Sequence, residues 1–352
     1  MLVNQLETPA LIVDLDALER NQKRMAALLS PLGIALRPHY KSHKCTAIAH
    51  MQIAAGAKGI TCAKLSEAED LIFSGIEDVL IANQVVEPSK IVRLAYLALC
   101  CHLAVCVDRM ENIDQLERAA AEAGSTIRCF VEYEIGMNRC GVATPEEFCI
   151  LARQIIASPH LEFMGIQAYA GQLSHEQSHE VRARKSEDVE ERLHALINVL
   201  QNGGIEVKEV SGGSTGTVEQ RRAGTVYTEA QAGSYLFMDT AYGKLGLGFE
   251  NALFMLSTVI SADPGKVICD VGLKSFGVDQ GDPVFVDYPQ TPAKMSEEHS
   301  AVYCANNAKP GDKVRLIPGH CCTTVNLCDA LYFIRGDKVV DKVPVTSRGK
   351  SR

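Results

Sequence analysis

The chain has 352 residues, 47% hydrophobic and 22% charged. That is enough to bury a full core and to build one barrel of roughly 250 residues with a smaller domain beside it, which excludes a single small domain. A formal net charge of −8 with no Lys/Arg block excludes nucleic acid as the partner, because phosphate binding needs clustered cations.

The start, Met1 to Gln5, has no basic or apolar leader pattern, and Arg93 and His102 interrupt the apolar run at 91–107, so a soluble cytoplasmic protein with no membrane partner is expected. Thirteen cysteines, scattered through apolar runs such as those of Cys62, Cys106 and Cys129, read as buried reduced thiols and not as a disulfide framework.

An extended stretch through Pro9 and Val13 precedes a helix beginning near Asp16. Strand-like runs follow at 33–37, 59–63, 78–83, 102–107, 126–133, 161–169, 207–211 and 226–238, separated by segments of helical period such as 65–74, 88–98, 110–123 and 145–157. Thr144-Pro145-Glu146-Glu147 reads as a helix start, and Gly56, Gly75 and Gly124 as stops. Eight strand–helix units in sequence predict an α/β fold with a closed parallel (β/α)8 TIM-type barrel over residues 17–244. Beyond that, short runs at 253–259, 266–271, 284–288, 313–317, 330–334 and 338–343, punctuated by Pro-Gly, Gly-Asp and Asp-Pro turns, predict a mostly antiparallel β domain built from 1–16 plus 245–352.

In Arg37-Pro38-His39-Tyr40-Lys41-Ser42-His43-Lys44, Lys41 lies where the first barrel strand hands over to its loop, the end at which barrels place their chemistry. A lysine in a partly desolvated pocket attacks an aldehyde readily, so a Schiff base to pyridoxal phosphate is the functional reading and a solvated basic loop the plain one. Arg139 follows the fifth strand, Tyr169 ends the sixth, and Ser211 to Gly216 follow the seventh, all at one mouth. The turn Gly212, Gly213, Ser214, Thr215, Gly216 can aim backbone N–H groups at a phosphate, and Gly233, Ser234 and Tyr235 in the eighth strand-like region can close the same nest. Tyr169 is placed to stack on a flat cofactor ring, and Arg139 to pair with an anionic or phenolic oxygen.

A second cluster lies in the β domain, Pro318-Gly319-His320-Cys321-Cys322. If this segment is extended, residues i and i+2 share a side, so His320 and Cys322 would seat one divalent metal while Cys321 points away. Imidazole with thiolate favours Zn²⁺, with Mn²⁺ or Mg²⁺ as the other candidates; a buried histidine beside buried cysteines is the alternative reading.

With Glu7-Thr8-Pro9, Arg139 to Val142, Gln167 to Tyr169, Val226 to Tyr235, Gly272 to Ser275 and Asn326, these motifs run in order through nearly the whole chain. Together they resemble the D-threonine aldolase and D-serine dehydratase group of pyridoxal phosphate enzymes, which have the alanine-racemase type of fold (fold type III). The resemblance implies that Lys41 bears the cofactor, that the strand-seven turn and the Gly-Ser-Tyr element hold its phosphate, that His320 and Cys322 bind a metal beside it, and that the enzyme is a homodimer. Lys41 and His320 are then the catalytic candidates. The implied activity is retro-aldol cleavage of D-threonine, D-allo-threonine or 3-hydroxy-D-aspartate, with D-serine dehydration as the alternative and a non-catalytic cofactor carrier as a third. Two residues depart from the aldolase pattern. Cys322 stands where those enzymes usually have aspartate, His-x-Cys being the pair associated with D-serine dehydratases, and Ala170 stands where many have histidine.

Overall fold

The computed structural model describes residues 1–304 and 307–352. They form two compact units, one of Met1–Met25, Ser42–Ala47 and Ser234–Gly349, the other of Ala26–Lys41, Ile48–Gly233 and Lys350–Arg352. Strand β1 (Ala10–Asp14) belongs to the first unit and leads into helix α1 (Leu15–Leu29).

The second unit is built on eight parallel strands: β2 (Ala35–Leu36), β3 (Ile60–Cys62), β4 (Asp78–Ile81), β5 (His102–Val107), β6 (Ile127–Glu132), β7 (Leu161–Ala168), β8 (Glu209–Gly212) and β9 (Glu229–Ala230). Their order is β2-β9-β8-β7-β6-β5-β4-β3. A parallel bridge between His39 and Thr61, with the Thr61 N–H donating to the Pro38 carbonyl at 2.9 Å, joins the two ends into a barrel. Seven of the strands fall inside the runs expected from the sequence, and β8 runs one residue past the end of its run, to Gly212.

These runs are almost continuously apolar because both faces are covered. Leu80, Ala104, Cys106, Phe130 and Met164 pack together inside the barrel. Their neighbours Val79, Val105, Val107, Cys129 and Val131 join the larger core with Leu71, Leu94, Leu116, Phe148 and Leu193 from the helices. Those helices are α2 (Thr46–Ala54), α3 (Leu65–Phe73), α4 (Pro88–Leu97), α5 (Met110–Ala123), α6 (Pro145–Ala157) and α7 (His179–Asn202). At the start of α6 the Thr144 hydroxyl accepts the Glu147 N–H and the Glu147 carboxylate accepts the Thr144 N–H, both at 3.2 Å, a reciprocal cap that fixes where the helix begins.

The regular alternation lapses at the end of the barrel. After β8 there is a six-residue 3-10 segment, Thr215–Gln220, in place of a helix. The strand expected over 226–238 shrinks to the two residues of β9, because the Phe237 and Met238 N–H groups turn back to the Ser234 carbonyl and coil the chain into a 3-10 turn. A short helix, α8 (Thr240–Gly243), follows.

Arg37, read as part of a basic loop, is instead buried at the N-terminal ends of the strands. Its Nε donates to both carboxylate oxygens of Glu229 at 3.0 Å and its other arm pairs with Asp78, while Lys58 bridges Glu209 and Glu229. The fully buried Glu229 also accepts from the Ser211 hydroxyl at 2.5 Å.

The first unit carries β10 (Leu253–Asp263), β11 (Lys266–Cys269), β12 (Val284–Phe285), β13 (Lys294–Met295), β14 (Ser300–Val302), β15 (Lys313–Ile317), helix α9 (Cys321–Val325), β16 (Ala330–Arg335) and β17 (Lys338–Pro344). The main order is β13-β14-β11-β10-β1-β16-β17, with β15 against β10 and β12. Pairing is antiparallel except between β1 and β16. The N-terminal strand therefore sits in the middle of the sheet, where Ala10 and Ile12 pack with Val3, Leu6, Leu256 and Ile334. Among the described residues no helix is long and apolar enough to cross a membrane. All thirteen cysteines are free thiols.

Candidate active site

A cavity of about 180 Å³ opens at the C-terminal ends of the barrel strands, lined by His39, Lys41, Lys64, Asn83, Arg139, Gln167, Tyr169 and Gln231 among others. Three of the residues singled out in the sequence, Lys41, Arg139 and Tyr169, thus meet on one wall. The Lys41 Nζ lies 5.6 Å from the centre of the Tyr169 ring and the Arg139 guanidinium carbon 5.8 Å from it, both within cation–π range. The Tyr169 hydroxyl is 3.3 Å from the Ser174 hydroxyl.

Local sequence explains how each is held. Lys41 sits in a 3-10 turn whose neighbour Tyr40 is fully buried with its hydroxyl on Asp70 at 3.1 Å, while the Lys41 N–H donates to His39 Nδ1 at 3.3 Å. The lysine side chain itself is exposed, so the partly desolvated pocket expected for it is not what the structure provides. Arg139 ends a loop wrapped around the Glu134 carboxylate, which accepts the N–H groups of Gly136, Met137 (2.7 Å) and Asn138 (2.6 Å). Behind it stands Glu132, 3.8 Å from the Arg139 guanidinium, with its other oxygen bonded by Gln84 at 2.6 Å. Burial pushes the Glu132 carboxyl up, against the pull of Gln84 and Arg139. On the floor Gln231 donates to Gln167 and to the Ser211 hydroxyl, each at 2.7 Å, which ties the cavity to the buried Glu229.

The glycine-rich turn begins within β8. None of Gly212, Gly213, Ser214, Thr215 and Gly216 lines the cavity around Lys41. Gly212 and Gly216 are there for close approach, since a Cβ on either would overlap the carbonyl of Ala168 or of Ser174. The Ser214 N–H is engaged by the Thr217 hydroxyl at 3.0 Å. A buried cation backs the turn: Arg221 stacks 3.7 Å from the centre of the Tyr227 ring and pairs with Glu190 at 2.7 Å. Gly233 is the last residue of the segment Ile48–Gly233 of this unit. Tyr235 is fully buried against Phe249, with ring centres 5.9 Å apart, and Ser234 Oγ lies 3.9 Å from Cys322 Sγ.

The segment carrying His320 and Cys322 is not extended. His320 alone is extended, as the N-cap of α9, because the Asp239 carboxylate accepts the Cys321 N–H at 2.9 Å and the Thr324 hydroxyl donates to the His320 carbonyl at 2.8 Å, which coils the chain at Cys321. The imidazole and the Cys322 thiol still come within hydrogen-bond reach. Cys321, expected to point away from the pair, is fully buried with its sulfur 3.9 Å from that of Cys322, and its thiol is pushed well up by the Cys322 contact and by burial.

His320 Nδ1 lies 2.7 Å from Asp279 Oδ2. Burial opposes charge on the imidazole, but Cys322 and Asp279 outweigh it and its pKa is pushed up to about 9. Among the described residues no three or more His, Cys, Asp or Glu side chains gather as a metal site. One imidazole and one thiol nonetheless form a donor pair that suits Zn²⁺ and leaves further positions open. Asp279 escaped sequence reading because its Val278-Asp279-Gln280-Gly281 context looks like any polar turn. Gln167 and Gln231 did lie within the stretches of resemblance, but nothing in their spacing marked them as cavity floor.

The family described as "Alanine racemase, N-terminal domain" matches residues 13–241, and that described as "Putative serine dehydratase domain" matches residues 252–334. A D-threonine aldolase of Arthrobacter sp. is 39% identical over 99% of this chain and 94% of its own. A 3-hydroxy-D-aspartate aldolase of Paracoccus denitrificans is 39% identical over 99% of this chain and 93% of its own. The crystal structure of a D-threonine aldolase from Filomicrobium marinum superposes with a TM-score of 0.94 at 36% identity, covering 99% of this chain and 98% of that one. Motif order, barrel, β unit and full-length similarity agree, and the chain belongs to the D-threonine aldolase and D-serine dehydratase family of pyridoxal phosphate enzymes.

Proposed function

We propose that this protein is a pyridoxal phosphate and divalent-metal-dependent lyase that cleaves D-configured β-hydroxy amino acids, D-threonine, D-allo-threonine or 3-hydroxy-D-aspartate, by retro-aldol reaction. The observation that carries the reading is full-length similarity to two aldolases in a chain whose Lys41, Arg139 and Tyr169 share one cavity. These residues fit the cofactor: an exposed amine that an aldehyde can reach, a cation for an anionic oxygen, an aromatic face and a glycine-rich turn.

When bound, pyridoxal phosphate supplies a conjugated ring that stores the electrons of a broken Cα bond. A divalent metal held by His320 and Cys322 would lower the pKa of the substrate's β-hydroxyl. Lys41 would hold the cofactor covalently, Tyr169 would orient the flat ring, Arg139 would neutralise an anionic oxygen, and the Gly212 to Gly216 turn with Gly233, Ser234 and Tyr235 would hold the phosphate. In the reaction the Cα–Cβ bond breaks, the β-hydroxyl loses its proton and becomes the carbonyl of the released aldehyde, and Cα takes up a proton to leave glycine. The barrel of residues 17–244 would supply the cofactor's residues and the β domain the metal pair, in a cytoplasmic homodimer whose mass light scattering reads directly.

One observation favours the second reading, dehydration of D-serine: the pair is His-x-Cys, where the aldolase pattern has aspartate. There the Cα proton and the β-hydroxyl leave as water, and the resulting 2-aminoacrylate shifts to its imine and takes up a water to give pyruvate and ammonia. The whole-length aldolase relatives place it second.

The proposal is tested on holoenzyme with the D and L isomers of threonine; glycine from the D isomer alone supports it, and equal rates on both sink it. For the metal pair, Cys322→Ala is expected to lose bound Zn²⁺ and most turnover while the visible absorbance of the cofactor stays. Retention of stoichiometric metal by elemental analysis would remove Cys322 from the site. Cys321→Ala keeps the metal, but because that side chain is fully buried it lowers stability by about 1 kcal/mol, readable as a shift in urea midpoint.

A further inference from the structure

We infer that Asp279 is the positioning residue of the His320–Cys322 metal pair, fixing which nitrogen of His320 faces a metal. The inference rests on the reading of His320 and Cys322 as ligands and adds to it a residue from a different segment of chain.

Both oxygens of Asp279 are engaged by side chains at the start of α9. Oδ2 meets His320 Nδ1 at 2.7 Å, and Oδ1 accepts the Thr323 hydroxyl at 2.7 Å. A carboxylate has no proton to give at neutral pH, so Nδ1 keeps its proton towards Asp279 and Nε2 is the nitrogen that gives up its proton to bind a metal. The same contact makes the imidazole a stronger donor and stops the ring from turning. Thr323 in turn stops the carboxylate from turning.

The loop that delivers Asp279 is seated on α9 and does not merely pass it. Gly277 donates its N–H to the Thr324 hydroxyl at 3.1 Å. A Cβ on Gly277 would overlap the Thr323 side chain, and one on Gly319 would overlap the Gly281 carbonyl. Two glycines, one on each side, thus let residues 277–281 lie flat against the segment that carries the ligands. An exposed aspartate with no such duty would require neither close approach. About half of the Asp279 side chain remains open to solvent, against 18% for His320, so the carboxylate reaches inward from the rim to a ring that is mostly covered.

The test measures Zn²⁺ affinity of cofactor-loaded protein by competition with a chromophoric chelator, independently of turnover. Asp279→Ala is expected to weaken Zn²⁺ binding by about 10–100-fold, the usual effect of removing such a partner, with the cofactor's visible absorbance unchanged. Asp279→Asn, which keeps an acceptor for Nδ1–H but not its charge, is expected to fall between, and at saturating Zn²⁺ both variants should regain most of their turnover. His320→Ala is the control. If His320→Ala abolishes binding while Asp279→Ala and Asp279→Asn stay within about twofold of the parent, the positioning role is wrong and the metal pair stands. If His320→Ala itself binds Zn²⁺ as the parent does, the metal pair falls and the inference with it. Should Asp279→Ala lose cofactor or fold, the near-isosteric Asp279→Asn decides: a loss of several-fold supports the role, and parental affinity overturns it.

Discussion

Lys41→Ala is expected to give a folded, colourless protein without turnover. The side chain is exposed and the turn beneath it is anchored by its neighbours, Tyr40 on Asp70 and His39 on the Lys41 N–H, so removing it should change stability by no more than about 0.5 kcal/mol. Chemistry should suffer far more. Loss of a positioned proton-transfer group alone costs about 10²–10⁴-fold, and here the covalent hold on the cofactor goes with it. Visible absorption, and peptide mass after borohydride reduction, read the result. Cofactor mass on the peptide containing Lys41 is the expected outcome in the parent protein. The same mass recovered from a Lys41→Ala protein on another lysine would move the attachment point. Lys44 is buried, and Lys274, though exposed, is paired with Glu298 at 2.7 Å.

The largest stability effect should come from the opposite end of the barrel. Glu229 is fully buried against Arg37, whose side chain is 4% exposed, so Glu229→Ala leaves a guanidinium without its main partner in a place water does not reach. Breaking one side of such a pair costs about 3–5 kcal/mol, whereas replacing both partners with apolar residues of similar volume costs much less. Urea unfolding of Glu229→Ala beside the double variant Arg37→Met/Glu229→Leu measures both; a loss below about 1 kcal/mol in the single variant would show that Asp78 alone satisfies Arg37. The pH dependence follows from the same contacts. Burial works against the Glu229 charge, but Arg37, Ser211 and Lys58 outweigh it and hold the carboxyl below the usual glutamate range. A carboxyl depressed in the folded state stabilises fully above its unfolded pKa of about 4.3 and loses that contribution as pH falls through the folded value. Parent stability should therefore decline below about pH 4, and that decline should be shallower in the double variant.

The barrel strands were legible because parallel strands covered on both faces are written as short, unbroken apolar runs between helices with ordinary caps and stops. The breakdown after β8 was not. Val226 to Met238 has the apolar content of a strand, and only the turn of Phe237 and Met238 back to the Ser234 carbonyl shows that the chain coils. β13 and β14 are two and three residues long, too short for alternation to register. For the site, Lys41, Arg139 and Tyr169 could be placed because barrel topology sends every strand end to one rim. The backbone of His320 to Cys322 could not, since a capping carboxylate 82 residues away at Asp239 decides whether that segment extends or coils. The burial of Arg37 was illegible for a related reason: its partners Asp78, Glu209 and Glu229 are scattered through the chain and meet only when the barrel closes.

Cleavage of the Cα–Cβ bond of a D-β-hydroxy amino acid is the central claim, and product identity tests it most directly. Cofactor- and Zn²⁺-loaded protein should be incubated with D-threonine and with D-serine side by side, and the amino acid, aldehyde, 2-oxo acid and ammonia quantified. The expected result is glycine and acetaldehyde in equal amounts from D-threonine, with little 2-oxo acid or ammonia from D-serine. Pyruvate and ammonia from D-serine, with no glycine from D-threonine, would contradict the aldolase account and give the site to dehydration.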